Sequence, residues 1–101
     1  MKDVTSLEFS TLQKEGKKIL LDLWAPWCGP CRMLIPRLEQ MSENYNDVEF
    51  VKINVDENRD FAMTMGIRNV PTVIIFNGGE EISRMIGAKG ENEYKEILDN
   101  L

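Results

Sequence analysis

The sequence predicts an α/β domain: a central mixed β-sheet of four to five strands, flanked by helices on both faces. Three observations predict it. Helix and strand patterns follow one another in the order α, β, α, β, α, β, β, α. The run Ile19 to Trp24 is apolar almost throughout, the pattern of a central strand covered on both faces. Asn77-Gly78-Gly79 then joins the last two strands in a hairpin. Strands linked by helices, followed by a hairpin, imply a mixed sheet.

The elements are read in chain order. Ser6 to Glu15 carries Leu7, Phe9 and Leu12 among polar residues, an amphipathic helix capped by Ser6 and ended by Gly16. A short edge strand is expected near Val4. After the strand Ile19 to Trp24, in which Asp22 is the one polar misfit, Ala25 and Pro26 turn the chain into the longest helix. That helix runs from Cys28 to about Tyr45, with Met33, Leu34, Leu38, Met41 and Tyr45 at helical spacings. Pro36 inside it predicts a kink, because proline removes a backbone donor and crowds the preceding turn. Val48 to Val55 reads as a strand and Asp56 to Met65 as a helix with Phe61, Ala62 and Met65 inward. Val70 to Phe76 and Glu81 to Ile86 form the hairpin, and Lys89 to Leu101 closes the chain as a helix bearing Tyr94, Ile97, Leu98 and Leu101.

With 101 residues, one core suffices, and residues 1–101 are read as one domain without linker or repeat. The formal charge is −5, and the basic residues are scattered rather than gathered into a stripe, which argues against nucleic acid as a partner. No apolar stretch approaches the roughly 18 residues of a membrane span. The first residues, Met-Lys-Asp-Val-Thr-Ser, have no apolar core of a signal peptide, so a cytoplasmic location is expected.

Two cysteines and no histidine narrow the chemistry most. Zinc and iron–sulfur sites need about four soft ligands, and a cysteine protease needs a base, usually His. No metal site is expected. Cys28 and Cys31 are left with thiol–disulfide exchange, a structural bridge, half of a metal site shared between chains, or chance; their position between a strand and a helix favours exchange. At a helix start, unpaired N–H groups and the helix dipole favour a thiolate, the form that attacks disulfides. Cys28 is therefore read as the nucleophile, and Cys31, one turn further in, as the resolving thiol. Gly29 permits close approach, and Pro30 in the first turn wastes no hydrogen bond.

The segment Ile19-Leu-Leu-Asp-Leu-Trp-Ala-Pro-Trp-Cys-Gly-Pro-Cys31 closely resembles the active-site stretch of the thioredoxin family. The resemblance continues through Pro36, Lys52 to Asp56, Gly66 to Thr72, Phe76, Gly79-Glu80 and Gly87-Ala88, nearly the whole chain, with Asn69 standing where thioredoxins commonly have a small residue. It implies the thioredoxin fold and reduction of protein disulfides through a reversible Cys28–Cys31 dithiol/disulfide, with no other cofactor. The implied partners are a thioredoxin reductase and disulfide-containing client proteins, and a monomer is expected.

Asp22 reads either as a buried carboxyl, whose desolvation favours the protonated form, or as an edge residue turned to solvent. By resemblance it lies behind Cys31 and helps deprotonate it. Lys52 matches a lysine neighbouring that Asp, although alone it reads equally as an edge charge. Pro71 opens a strand, where proline is tolerated as a first residue or in a special turn such as a cis bond after Val70. By resemblance Val70 offers backbone hydrogen bonds to a substrate strand. Trp27, Val70, Pro71, Ile86, Gly87 and Ala88 then form an apolar patch around Cys28, although Ile86 and Trp27 also read as packing residues. An oxidant or isomerase, and a non-catalytic binding module of the same fold, are the alternative readings. The Gly-Pro interior and the expected lack of a signal peptide favour a reductant over the former, and the presence of both cysteines argues against the latter.

Overall fold

A computed structural model describes residues 1–101. The chain forms β1 (Lys2–Asp3), α1 (Ser6–Lys14), β2 (Lys18–Trp24), α2 (Gly29–Ser42), β3 (Val48–Asn54), a 3-10 turn (Val55–Glu57), α3 (Arg59–Thr64), β4 (Thr72–Asn77), β5 (Glu80–Ile86) and α4 (Glu91–Asp99). The five strands make one mixed sheet in the order β1-β3-β2-β4-β5. β1 and β2 pair parallel with β3, while β4 pairs antiparallel with β2 and β5. The expected mixed sheet, with helices on both faces, is the fold observed.

Alternation along each strand separates two cores. On one face Leu20, Phe50, Val73 and Ile75 pack with Leu34, Leu38 and Met41 of α2 and Tyr94 and Leu98 of α4. On the other, Ile19, Leu21, Leu23, Ile53, Ile74 and Phe76 pack with Phe9 of α1, and Phe61 and Met65 of the α3 region lie against them. β2 is central and covered on both sides, which is why its run of apolar residues does not alternate.

Several boundaries differ from the sequence reading, each for a local reason. Thr5, not Ser6, caps α1: its hydroxyl accepts from Glu8 N–H at 3.1 Å and Glu8 Oε1 accepts from Thr5 N–H at 3.0 Å, a reciprocal capping box. Leu7 does not pack inward; it lies two residues from Phe9, on the opposite side of the helix, and is 76 % exposed. Met33 likewise falls outside the inward stripe of Cys31, Leu34, Leu38 and Met41 and is exposed. α2 continues through Pro36, which sits on its exposed side. The helix expected over Asp56 to Met65 is divided into the 3-10 turn and α3, because Asn54 caps the first turn by accepting from Asp56 N–H at 2.9 Å. Gly78 and Gly79 close the hairpin with φ of +63° and +86°, the two left-handed positions of a type I′ turn.

Candidate functional site

β2 ends at Trp24 and α2 begins at Gly29, so the cysteine pair sits where a central strand hands the chain to a helix. Cys28 precedes the helix rather than opening it. Its backbone is extended, φ −89° and ψ 108°, and it serves as the N-cap: Cys31 N–H donates to Cys28 Sγ at 3.2 Å. A sulfur at this position faces the unpaired donors and positive end of a helix, where negative charge is favoured. Cys28 and Cys31 are joined by a disulfide, with Cα atoms 5.3 Å apart. Their environments differ: Cys28 keeps 4 % exposure, Cys31 none.

The carbonyl oxygen of Val70 lies 3.6 Å from Cys28 Sγ. The Val70–Pro71 peptide is cis, and Pro71 precedes β4 instead of belonging to it. Pro71 is buried, where the start of β4 pairs with the end of β5. Thr72 is opposite Ile86, and Gly87 N–H donates to the Pro71 carbonyl at 2.8 Å. Ile86 is a surface residue, 56 % exposed, and not part of the core; Ala88 is exposed in the loop beyond it. Trp27 is 68 % exposed, with its indole N–H donating to Asp56 Oδ2 at 3.0 Å.

Beside Trp27 and Val70 lies an open groove of about 440 Å³ that sequence patterning did not reveal. Val55, Ala62, Met63 and Ile67 complete its apolar lining, and Arg59, Arg68 and Asn69 border it. Met63 carried a signal in retrospect, as an apolar residue left off the inward side expected for Phe61, Ala62 and Met65. Only folding shows that this side adjoins the cysteines.

Asp22 is fully buried in the middle of the sheet, which excludes the solvent-facing alternative. Neither carboxyl oxygen has a hydrogen-bond partner from the protein. Burial pushes its pKa up to about 7, against the opposing charge of Lys52. Lys52 stands opposite Asp22 in the β2–β3 register, yet its ammonium pairs with Asp3, 3.8 Å away, and lies 4.5 Å from the Trp24 ring centroid. The structure thus brings Cys28, Cys31 and Val70 together and sets Asp22 and Lys52 side by side without an ion pair. No group of three or more His, Cys, Asp or Glu side chains forms a metal-binding cluster, and no helix is long and apolar enough to cross a membrane.

Comparison with known proteins agrees with this geometry. The family model described as Thioredoxin matches residues 1–100. A thioredoxin of Synechocystis sp. is 48 % identical over 82 residues, covering 80 % of this chain and 77 % of the relative. A bifunctional thioredoxin reductase/thioredoxin of Mycobacterium leprae is 37 % identical over 98 residues, which are 92 % of this chain and 21 % of that protein. Among solved structures, oxidised mitochondrial thioredoxin 3 of Saccharomyces cerevisiae superposes with a TM-score of 0.88 at 35 % identity, covering all of this chain and 94 % of the other. A helix-capping cysteine, its buried partner and a matching fold and sequence over nearly the whole length lead to one conclusion: the chain belongs to the thioredoxin family and is a thiol–disulfide oxidoreductase.

Proposed function

We propose that residues 1–101 act as a single thioredoxin domain that reduces protein disulfides, with Cys28 as the attacking thiol and Cys31 as the resolving thiol. The observation that carries this assignment is the asymmetry of the pair: Cys28 Sγ accepts a backbone N–H at the start of α2 and retains exposure, while Cys31 is enclosed. The Cys28 thiolate attacks a substrate sulfur, displaces the other as a thiolate and forms a mixed disulfide. Cys31, deprotonated by Asp22, attacks Cys28 Sγ, closes the Cys28–Cys31 disulfide and releases the second substrate thiol. Two electrons and two protons pass to the substrate. Lys52 modulates the charge of Asp22 from the neighbouring strand.

Trp27, Gly29, Pro30, Val70, Pro71, Ile86, Gly87 and Ala88 are the proposed substrate-binding residues. An extended client segment would lie beside Val70 and use its backbone polar groups, the mode of strand addition. Exposed Trp27 and Ile86 supply the apolar contact. The oxidised form is returned to the dithiol by a thioredoxin reductase, a reading supported by the relative in which the two activities share one chain. A cytoplasmic monomer that exchanges electrons between this reductase and its clients completes the proposal.

The test is reduction of a protein disulfide by the purified protein, supplied in turn with a nicotinamide–flavin reductase, a ferredoxin-linked reductase and a small dithiol. Turnover with at least one donor is expected, and turnover with one of the two reductases identifies the partner. Failure with every donor would overturn the assignment.

A further inference from the structure

Asp3, Lys52 and Asp22 occupy one row across three adjacent strands. Asp3 is opposite Lys52 in the β1–β3 pairing, and Lys52 is opposite Asp22 in the β3–β2 pairing. Residues in register present their side chains to the same face, so one cation stands between two carboxyl groups. It is committed to the outer one. Lys52 Nζ lies 3.8 Å from Asp3 Oδ1 and 4.5 Å from the Trp24 ring centroid. The same Asp3 oxygen accepts from Trp24 Nε1 at 3.1 Å, so Asp3 holds both the ammonium and the indole against which it rests. Asp22 is left buried and unpartnered.

We propose that Asp3 is a positioning residue: it holds the Lys52 ammonium against Trp24 and withholds that cation from the Asp22 carboxyl group. The inference rests on the reading of Asp22 as the proton acceptor for Cys31. Asp3 touches no reacting atom and acts only through its neighbours. Its side chain is 44 % exposed, so a pair at this edge keeps part of its hydration, whereas a pair at Asp22 would have to form in the closed interior.

Lys52 is the cation that faces Asp22. α4 presents Tyr94, a neutral phenol whose oxygen accepts from Lys89 N–H and which itself feels the Asp22 charge. α2 presents Leu34 and Leu38 to this core and the enclosed Cys31 near its start; β4 and β5 place uncharged Val73 and Met85 in the same row. A carboxyl without a committed cation remains able to take and return a proton near neutrality, the condition a proton acceptor needs.

The test uses the full chain in its disulfide form, with the Asp22 carboxyl carbon followed by 13C NMR across pH. Asp3→Asn keeps an oxygen for Trp24 Nε1 and removes the charge that holds Lys52. Its Asp22 midpoint is expected to fall by about one pH unit as Lys52 turns toward the freed carboxylate. Asp3→Glu, which restores the charge, is expected to recover the parent midpoint. In a Lys52→Met background the Asp3→Asn shift should vanish. An unchanged or raised midpoint in Asp3→Asn would overturn the proposal, and so would a shift that persists without Lys52, since it would mark a direct field effect of Asp3. The parallel pH profile of mixed-disulfide release separates the underlying reading: if Asp22→Asn keeps the parent profile, Asp22 is not the proton acceptor, whatever its carboxyl titration shows.

Discussion

Cys31 N–H points at Cys28 Sγ across 3.2 Å, so the residue proposed to resolve the intermediate also supplies a hydrogen bond to the proposed nucleophile. That bond comes from the backbone and survives replacement of the Cys31 side chain. Cys31→Ser is therefore expected to keep a reactive Cys28 and to accumulate a covalent adduct with client disulfides. Mass spectrometry of the trapped species should place the link at Cys28, and Cys28→Ser should trap nothing. Multiple turnovers by Cys31→Ser would refute the division of labour.

Asp22 ties function to pH. Its pKa is raised from 3.8 to about 7 by burial, so the folded state holds a proton that the unfolded chain releases. The associated stability is fully present below about pH 4 and is lost as pH rises through 7, a change on the order of 4 kcal/mol. Urea unfolding of the oxidised protein at pH 5 and pH 8.5 should reveal this decline, and Asp22→Asn should flatten it. In the same variant, release of the mixed disulfide should slow at neutral pH with the fold retained.

Trp27 is anchored to Asp56 yet largely uncovered. Trp27→Ala removes apolar surface next to Cys28 without opening a core cavity. The expected result is a several-fold rise in KM for protein substrates, corresponding to about 1 kcal/mol of lost contact, with little change in the rate toward a small aromatic disulfide. Equal losses on both substrates would point instead to a damaged cysteine pair.

Gly87 has φ +85°, and its N–H is bonded to Pro71. No heavy atom stands within 4 Å of where a Cβ would lie, so Gly87→Ala meets a conformational cost and no collision. A stability loss of roughly 1–2 kcal/mol is expected from the left-handed backbone. The denaturant midpoint should fall accordingly, and because the strained loop lies beside Pro71, the KM for protein substrates should rise with it. A variant as stable as the parent would show that the loop relaxes freely.

Elements with a strong local signature were legible in advance. Leu34, Leu38 and Met41 share one side of α2 through helical spacing, Ile19 to Trp24 announced a strand covered twice, and the two glycines after Asn77 announced the hairpin. The cysteine pair was legible for the same reason, being compact and placed between a strand and a helix. The patterns failed where an apolar residue had more than one use. Leu7 and Met33 continued an apolar rhythm but fell off the buried stripe.

By itself, the sequence determined the order and approximate extent of the helices, strands and turns, and it singled out Cys28 and Cys31 as the chemistry, because backbone propensity and periodicity act over a few neighbouring residues. Only the tertiary structure decided what those elements bring together: Val70 against Cys28, the groove beside Trp27, the burial of Asp22, and the choice of Asp3 over Asp22 by Lys52. Those relations depend on strand order, register and burial, which are set by packing between segments far apart in the chain.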